Sequence, residues 1–303
     1  MDIPSREEMR KIIRDLNRMD LDRAEFDEIT ERIQRLIIGF STPVVAVSVP
    51  SELRLYRARK NPRDGKPDKV DQLGAPRPEF VTSYQRCNKP GSPMFYCSKL
   101  PGAVLLELEV HLGDVIYISQ WSVERPFIYN AGFTDPDRLK STRPNQDTIA
   151  TFFETKFCQP IHETYSNQYK ITAAITQVLT SGNINGLEEQ SHHFRTAAPD
   201  GIGGIAYSSV ADVGRPLNLA LKPHIVDRCL ALNFVEEWVI TEVTAHSISY
   251  ERKDFTADFE GGLIHWTGKH IHWRLKGPQV VTATAELDGW VVRDETNQII
   301  PPG

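Results

Sequence analysis

The first 40 residues carry apolar side chains at the spacing of amphipathic helices. Ser5 followed by Glu8 has the form of a capping box at the start of the first helix. The pattern predicts a helical hairpin over residues 1–42, which either packs on the main domain as a cap or serves as a partner-binding or dimerising arm. One apolar stripe consists of Met9, Ile12, Ile13, Leu16 and Met19, and the other of Phe26, Ile29, Ile33, Leu36, Ile37 and Phe40.

From Pro43 onward the apolar residues follow the alternation of β-strands instead. Segments such as VVAVSV, LRLYRA and WVITEVTAHSISY are rich in β-branched and aromatic residues, which favour strands. Helices and strands mixed in this irregular order predict an α+β fold rather than a doubly wound α/β fold. The predicted strands include 94–98 and 114–121, and the predicted helices include 102–110, 146–157 and 165–180.

Composition and charge argue against several classes of protein. The chain of 303 residues has a formal net charge of −5 and a pI near 6.0, so a nucleic-acid binder that depends on neutralising phosphates is not expected. The four cysteines are widely spaced and form no CxxC pair, which argues against a disulfide scaffold or a cysteine zinc site. The N-terminus has no apolar signal core and no stretch is apolar enough to span a membrane, so we expect a cytoplasmic protein.

The stretch FYCSKLPGAVLLELEV, residues 95–110, places Glu107 and Glu109 among leucines and valines. A helix that starts at Gly102 would be apolar on nearly all sides, which predicts that it is buried. A buried carboxylate costs several kcal/mol unless it is paired. We therefore expect either that each glutamate has a local partner or that one of them is held in a site for chemistry. Periodicity alone does not choose between the two.

The most metal-like feature of the sequence is HWTGKHIHW, in its last third. His270 and His272 would share one face of a strand, and a hairpin through residues 267–269 would bring His265 close to them. Three histidines among tryptophans are more often a partly exposed aromatic face, so a metal-dependent hydrolase built on these histidines is the less favoured interpretation. Glycine-rich phosphate loops and the HExxH and GxSxG motifs are absent from the sequence.

Six short motifs follow one another along the chain, and only their joint order is informative. They are LYRAR (55–59), LGAPRPEF (73–80), QRCNKPG (85–91), FYCSKLPGAVLLE (95–107), GGIAYSSV (203–210) and NLAL (218–221). This succession resembles the RES domain, a bacterial family named for its arginine, glutamate and serine. Members of that family have an arginine after a Leu-Tyr pair, a Gly-Arg-x-Asn-x-x-Gly stretch, a tyrosine-led segment that ends in a glutamate, and a later Tyr-Pro-Ser. The resemblance covers roughly residues 53–225.

Carried over to this chain, the resemblance implies a set of site residues, and its spacing selects Glu107 rather than Glu109. Gln85 and Ser208 depart from the family pattern, which usually has Gly and Pro at these positions. The implied domains are the hairpin over 1–42, a RES-like catalytic domain over 43–240 similar to the ADP-ribosyltransferase fold, and a β-rich extension over 241–303 packed on it. The implied catalytic residues are Arg57, Arg86, Glu107 and Ser209, and the implied substrate-binding residues are Tyr56, Asn88, Tyr96 and Tyr207.

The RES family is associated with NAD⁺-consuming toxins, so the resemblance implies an enzyme that cleaves NAD⁺ and releases nicotinamide. Nicotinamide leaves as a neutral molecule, and the barrier lies in the oxocarbenium character of the ribose, which a carboxylate such as Glu107 would stabilise. Arginines suit the pyrophosphate, and the Tyr96 ring could stack on the positively charged nicotinamide. One of the arginines could instead form an internal salt bridge with Glu107.

The resemblance also implies what the protein acts with. NAD⁺ is the substrate, water or inorganic phosphate is the acceptor, and no metal or other cofactor is required. The alternative is a protein ADP-ribosyltransferase, whose acceptor is a side chain. Small members of the family are usually paired with a helical antitoxin, so a toxin or defence effector with a neutralising antitoxin or immunity protein is expected. The sequence leaves a homodimer open.

Overall fold

The computed structural model describes residues 2–60, 65–132, 146–181, 201–208, 217–244, 247–268, 282–286, 289–294 and 296–300. Helices and strands alternate irregularly and the strands pair mostly antiparallel, so the predicted α+β class is confirmed. The chain divides into two compact units, each assembled from segments that are far apart in sequence. Unit 1 comprises Met1–Leu53, Gly74–Lys99 and Val123–Leu230, and unit 2 comprises Arg54–Leu73, Leu100–Ser122 and Ala231–Gly303.

Among the described residues there are six α-helices, twelve strands and four short 3-10 helices. The helices are α1 (Arg6–Arg18), α2 (Phe26–Leu36), α3 (Pro101–Leu106), α4 (Gln146–Phe157), α5 (Lys170–Ser181) and α6 (Pro223–Cys229). The strands are β1 (Val44–Val47), β2 (Arg54–Lys60), β3 (Phe95–Ser98), β4 (Val115–Val123), β5 (Phe127–Asn130), β6 (Gly204–Ser208), β7 (Leu217–Leu221), β8 (Leu230–Val243), β9 (Ile248–Thr256), β10 (Thr282–Glu286), β11 (Gly289–Arg293) and β12 (Ile299–Ile300). The 3-10 helices are Val70–Leu73, Pro78–Phe80, Glu163–Tyr169 and Glu260–Gly262. None of the described helices is both long and apolar enough to cross a membrane.

Several elements lie where the sequence pattern predicted them. β3 and β4 fall on the strands predicted at 94–98 and 114–121, and α4 falls on the helix predicted at 146–157. Ser5 caps α1, since its Oγ accepts the Glu8 N–H at 3.2 Å. The second half of the capping box is not formed, because the Glu8 carboxylate accepts hydrogen bonds from Arg35 of α2 instead.

Unit 1 contains the strand order β1-β5-β6-β7-β3, in which the β5–β6 pair is parallel and the others are antiparallel. Helices α2 and α5 pack together over one apolar core. The N-terminal helix α2 is an integral part of this core, because three of its apolar side chains are fully buried there. The core includes Ile29, Ile33, Leu36, Phe153, Phe157, Ile175, Ile205 and Tyr207.

Strand β6 begins with a glycine because its neighbour leaves no space for a side chain. A Cβ atom at Gly204 would lie under 3.0 Å from the backbone oxygen of Ala220 and 2.7 Å from Leu221 Cδ2, both on β7. We expect Gly204→Ala to lower the free energy of unfolding by about 1–3 kcal/mol, since β7 cannot shift without weakening the strand pairing. Gly102→Ala is the matched control, because a Cβ there meets open space in α3 and alanine favours helix. Thermal unfolding followed by circular dichroism measures both, and an unchanged melting temperature for Gly204→Ala would contradict the prediction.

Unit 2 contains the strand order β2-β4-β8-β9 and a three-stranded antiparallel sheet, β10-β11-β12. Helix α3 packs against β2. Val104 and Leu105 of α3 join an apolar cluster with side chains from β4 and β8, and Tyr56 and Ala58 of β2 border it. One face of this group of strands is therefore covered by α3. The cluster consists of Val104, Leu105, Val110, Ile116, Ile118, Trp238 and Ile240.

A charged network, which we call the Lys66 network, lies in unit 2. Lys66 Nζ donates to Asp254 Oδ2 at 2.6 Å and to Glu237 Oε2 at 2.7 Å, and it lies 4.1 Å from the centroid of the Trp266 ring. The Tyr117 hydroxyl donates to Glu237 Oε1 at 3.1 Å. Burial, followed by the negative charge of Glu237, raises the pKa of this hydroxyl, so it remains a donor at neutral pH. The network joins β4, β8 and β9 to the segment at Lys66.

Candidate functional site

Arg86 lies in a tight turn of unit 1. The backbone N–H of Gln85 donates to the oxygen of Asn88 at 2.9 Å, and the N–H of Asn88 donates back at 3.3 Å. Arg86 and Cys87 are therefore the two central residues of the turn. Tyr96 of β3 stabilises this turn, because its hydroxyl accepts a hydrogen bond from the Cys87 N–H at 2.9 Å and donates one to Asn88 Oδ1 at 2.6 Å. These hydrogen bonds fix the position of the Arg86 backbone.

The guanidinium of Arg86 is surrounded by aromatic rings and backbone oxygens. Its central carbon lies 5.4 Å from the centroid of the Tyr169 ring and 6.0 Å from that of Tyr207. Nη1 donates to the backbone oxygens of Phe157 and Gln159. Within the described part of the chain no carboxylate pairs with Arg86, which is half-buried. A half-buried cation without a counter-ion attracts an anion, and a guanidinium can bind phosphate oxygens in a fixed geometry.

The polar atoms of Tyr96 and Asn88 are used within the protein. Asn88 is only 4% exposed, and its side chain bonds to the Tyr96 hydroxyl and to the backbone oxygen of Lys89 at 3.3 Å. Burial raises the pKa of Tyr96 well above the ordinary value of 10.0, so its hydroxyl stays protonated and keeps donating to Asn88. The ring of Tyr96, rather than its hydroxyl, is the part that remains to contact a substrate.

Tyr207 of β6 completes the aromatic side of the site. Its ring packs edge-on against Tyr96, with centroids 6.4 Å apart, and lies 6.1 Å from the ring of Phe157. We call the group formed by Arg86, Tyr96, Tyr169 and Tyr207 the Arg86 cluster. Sequence analysis did not identify Tyr169, because it belongs to none of the six motifs and only the fold brings it to Arg86. The predicted Ser209 lies outside the described residues.

Tyr56 and Arg57 are consecutive residues of β2 in unit 2, and their side chains leave opposite faces of the strand. Tyr56 borders the apolar cluster beneath α3, and its hydroxyl accepts a hydrogen bond from Gln120 Nε2 at 2.7 Å. Arg57 is 9% exposed and lies opposite Ser119 of β4, on the other face. The two predicted residues therefore do not share one side of β2.

Glu107 differs from its predicted environment. Helix α3 is only six residues long and ends at Leu106, so Glu107 is its C-cap, and its side chain is exposed. Glu109 is also exposed and has a left-handed φ of 45°. The prediction of a buried helix through residue 110 with buried carboxylates is wrong, because the helix ends at Leu106 and both glutamates follow it at exposed positions, before the chain returns to the apolar cluster at Val110. Glu107 is accessible to solvent and to a ligand.

The histidine alternative falls largely outside the described residues. His265 is exposed, and its backbone N–H donates to the oxygen of Asp258 at 3.1 Å. His270 and His272 lie outside the described ranges. Among the described residues, no group of three or more His, Cys, Asp or Glu side chains is arranged to hold a metal ion.

Four of the predicted residues, Arg86, Asn88, Tyr96 and Tyr207, come together in unit 1, while Tyr56, Arg57 and Glu107 lie in unit 2. No protein-family model matches the chain, and no curated protein matches it in sequence. The chemistry of the site is therefore argued from its own residues. Unit 1 offers an arginine against tyrosine rings, and unit 2, taken by itself, offers an exposed carboxylate at the end of α3.

Proposed function

We propose that this protein is an NAD⁺-cleaving enzyme that releases nicotinamide, with a RES-like catalytic domain similar to the ADP-ribosyltransferase fold. The acceptor in this proposal is water or inorganic phosphate, and no metal or other cofactor takes part. The biological role that follows is that of a toxin or defence effector that depletes NAD⁺ and is neutralised by a partner protein.

The observation that carries the proposal is the state of Arg86. Its positive charge has no carboxylate partner in the described part of the chain, and tyrosine rings lie beside it. A pyrophosphate supplies negative charge for Arg86, and a nicotinamide or adenine ring supplies a surface for the half-buried rings of Tyr96 and Tyr169, whereas Tyr207 is buried in the core. A dinucleotide with a pyrophosphate between two bases combines both features in one molecule.

The exposed position of Glu107 suits the role proposed for it. A carboxylate at the surface can approach the ribose of a bound substrate. As nicotinamide leaves, positive charge develops on the ribose ring, and a negative group placed there lowers the barrier. Exclusion of water on substrate binding would strengthen the interaction between this carboxylate and the developing charge.

Incubation of the protein with NAD⁺, with and without inorganic phosphate, tests the proposal. We expect free nicotinamide together with ADP-ribose or its phosphate adduct, identified by mass spectrometry, and we expect a chelator to leave the rate unchanged. Absence of nicotinamide release would contradict the proposal. Loss of activity with a chelator and recovery with zinc would favour the histidine-based hydrolase, and ADP-ribose attached to protein would favour a transferase.

The same assay tests Arg86 itself. We expect Arg86→Gln to weaken NAD⁺ affinity by about 10- to 100-fold, which corresponds to the loss of one hydrogen bond to a charged group. Arg125→Gln is the matched control, because Arg125 is an exposed cation of unit 1 outside the Arg86 cluster. Equal affinities for the two variants, with both folded by circular dichroism, would show that Arg86 does not bind the substrate.

A further inference from the structure

Ion pairs between α1 and α2 neutralise the residues along the contact of these two helices. Arg35 Nη2 lies 2.6 Å from Glu8 Oε1, and Arg32 Nη1 lies 3.7 Å from Asp15 Oδ2. Arg32 also pairs with Glu28 on its own helix, at 2.9 Å. The acidic residues Glu8 and Asp15 of α1 are thus matched by the basic residues of α2.

The charges that remain on α1 are almost all positive. Its apolar stripe, which includes the buried Met9 and Leu16, faces the core. At about 100° per residue the basic side chains fall on the opposite side of the helix, where Glu7 is the only acidic residue. All of these basic residues are exposed and none forms an ion pair with a described residue. This basic face consists of Arg6, Arg10, Lys11, Arg14 and Arg18.

The charges that remain on α2 are negative. Phe26, Ile29, Ile33 and Leu36 are buried on one side of this helix. Asp27, Glu28 and Glu31 are exposed on its other side. Within the described residues, neither Asp27 nor Glu31 forms an ion pair, and Glu28 is paired only with Arg32. Two neighbouring helices of one chain thus present faces of opposite charge.

We propose that two copies of this chain associate through these helices, with the basic face of α1 in one copy against the acidic face of α2 in the other. In a dimer with a two-fold axis, the basic face of each copy contacts the acidic face of the other, so the same contact forms twice. A nucleic acid fits the same surface poorly, since its phosphates would approach the carboxylates of α2 whenever they contacted α1. The proposal does not depend on the activity of the protein.

The association is expected to be weak and sensitive to salt. Exposed ion pairs contribute little individually and are screened by ions, and the screening length falls from about 30 Å at about 0.01 M salt to about 3 Å at about 1 M. Sedimentation velocity of the full chain should therefore show a concentration-dependent dimer at low salt that dissociates at high salt. A monomer at every concentration in low salt would overturn the proposal.

Charge reversal in the full chain gives the decisive test. One variant carries Arg10→Glu and Arg14→Glu, and the other carries Asp27→Lys and Glu31→Lys. Each variant alone should dimerise about 100-fold more weakly, because four attractive contacts of the symmetric interface become repulsive. An equimolar mixture should regain the dimer as a heterodimer, since every contact between the two variants is again between opposite charges. Continued dimerisation of either variant alone, or failure of the mixture to dimerise, would overturn the proposal.

A control variant separates this effect from a change in net charge. Lys99→Glu combined with Arg125→Glu changes the charge of unit 1 by the same amount as Arg10→Glu combined with Arg14→Glu, at exposed positions outside α1 and α2. This variant should dimerise like the original chain. Loss of its dimer would mean that overall repulsion, rather than the two helix faces, controls association, and the proposal would then be wrong.

Discussion

Replacing Glu107 with glutamine is expected to slow NAD⁺ cleavage by about 10²–10³-fold, which corresponds to about 3–4 kcal/mol of barrier. Glutamine keeps the size and much of the hydrogen bonding of the side chain but removes the negative charge. That charge is most effective after the bond to nicotinamide has begun to break, so NAD⁺ affinity should change far less than the rate. Turnover and affinity measured on the purified variant separate these two effects.

Stability provides a second readout for the same substitution. Because Glu107 is exposed at the end of α3, Glu107→Gln should change the free energy of unfolding by no more than about 0.5 kcal/mol, as is usual for surface substitutions. Glu109→Gln is the matched control, since Glu109 is exposed only two positions further on. It should turn over NAD⁺ at a nearly normal rate. An inactive Glu109 variant beside a normal Glu107 variant would reverse the assignment.

Replacing Asp254 with alanine is expected to lower the free energy of unfolding by about 1–3 kcal/mol, the usual cost of leaving buried hydrogen-bond donors without their partner. The Asp254 side chain is 5% exposed and accepts from Lys66 Nζ at 2.6 Å. It also accepts from the Phe255 N–H at 2.8 Å and from the Thr267 hydroxyl and Gly268 N–H, both at 3.0 Å. Alanine would leave the Phe255 and Gly268 N–H groups without this acceptor, whereas Lys66 would keep Glu237 and the Thr267 hydroxyl would keep the Phe255 oxygen.

Tryptophan fluorescence reports unfolding from positions in unit 2. Trp121, Trp238, Trp266, Trp273 and Trp290 are all the tryptophans of the chain, and each lies within the segments of unit 2. Urea unfolding followed by this signal gives the free energy of unfolding of unit 2 for each variant. Glu242→Ala is the control, because Glu242 is exposed on β8 and should cost no more than about 0.5 kcal/mol. A similarly small loss for Asp254→Ala would contradict the prediction.

The pH dependence of stability tests the charge of Asp254 separately. Burial raises the pKa of this carboxyl, but the hydrogen bonds from Lys66, the Phe255 N–H and the Thr267 hydroxyl together hold it below the ordinary value of 3.8. The unfolded state therefore binds the proton first, so the stabilisation is complete above pH 3.8 and is lost as the pH falls below it. Asp254→Asn keeps an oxygen acceptor without the charge, and its stability should fall less steeply in that range. Identical slopes for Asp254→Asn and the original chain would contradict this.

Several features of the protein could be predicted because they depend on local periodicity. The apolar residues between Met9 and Phe40 recur at helical spacing and indicate which side of each helix is buried, and α1 and α2 form in this part of the chain. The strand-like pattern of residues 94–98 and 114–121 indicates strands in the same way, and β3 and β4 form there. The irregular mixture of these patterns indicated the α+β class. Each prediction used only residues within one element.

Among the residues named by the order of motifs, those that the structure shows in contact with one another belong to unit 1. The order of motifs named Arg86, Asn88, Tyr96 and Tyr207, which lie together in unit 1, and it did not name Tyr169. Periodicity also misjudged Glu107, since α3 ends at Leu106 although apolar residues continue along the chain, and Val110 beyond its end still belongs to the apolar cluster.

Tertiary structure decided the contacts between residues that are distant in sequence. Lys66 meets Glu237 and Asp254 across more than 170 positions, and no periodic pattern within one element specifies such a partner. Strand pairing and packing likewise determined what each side of β2 meets, since Tyr56 borders the apolar cluster and Arg57 lies opposite Ser119. The sequence by itself determined which side of an element avoids water, because that depends on neighbouring side chains. Which distant group meets a buried charge depends on the route of the whole chain, and only the folded structure specifies it.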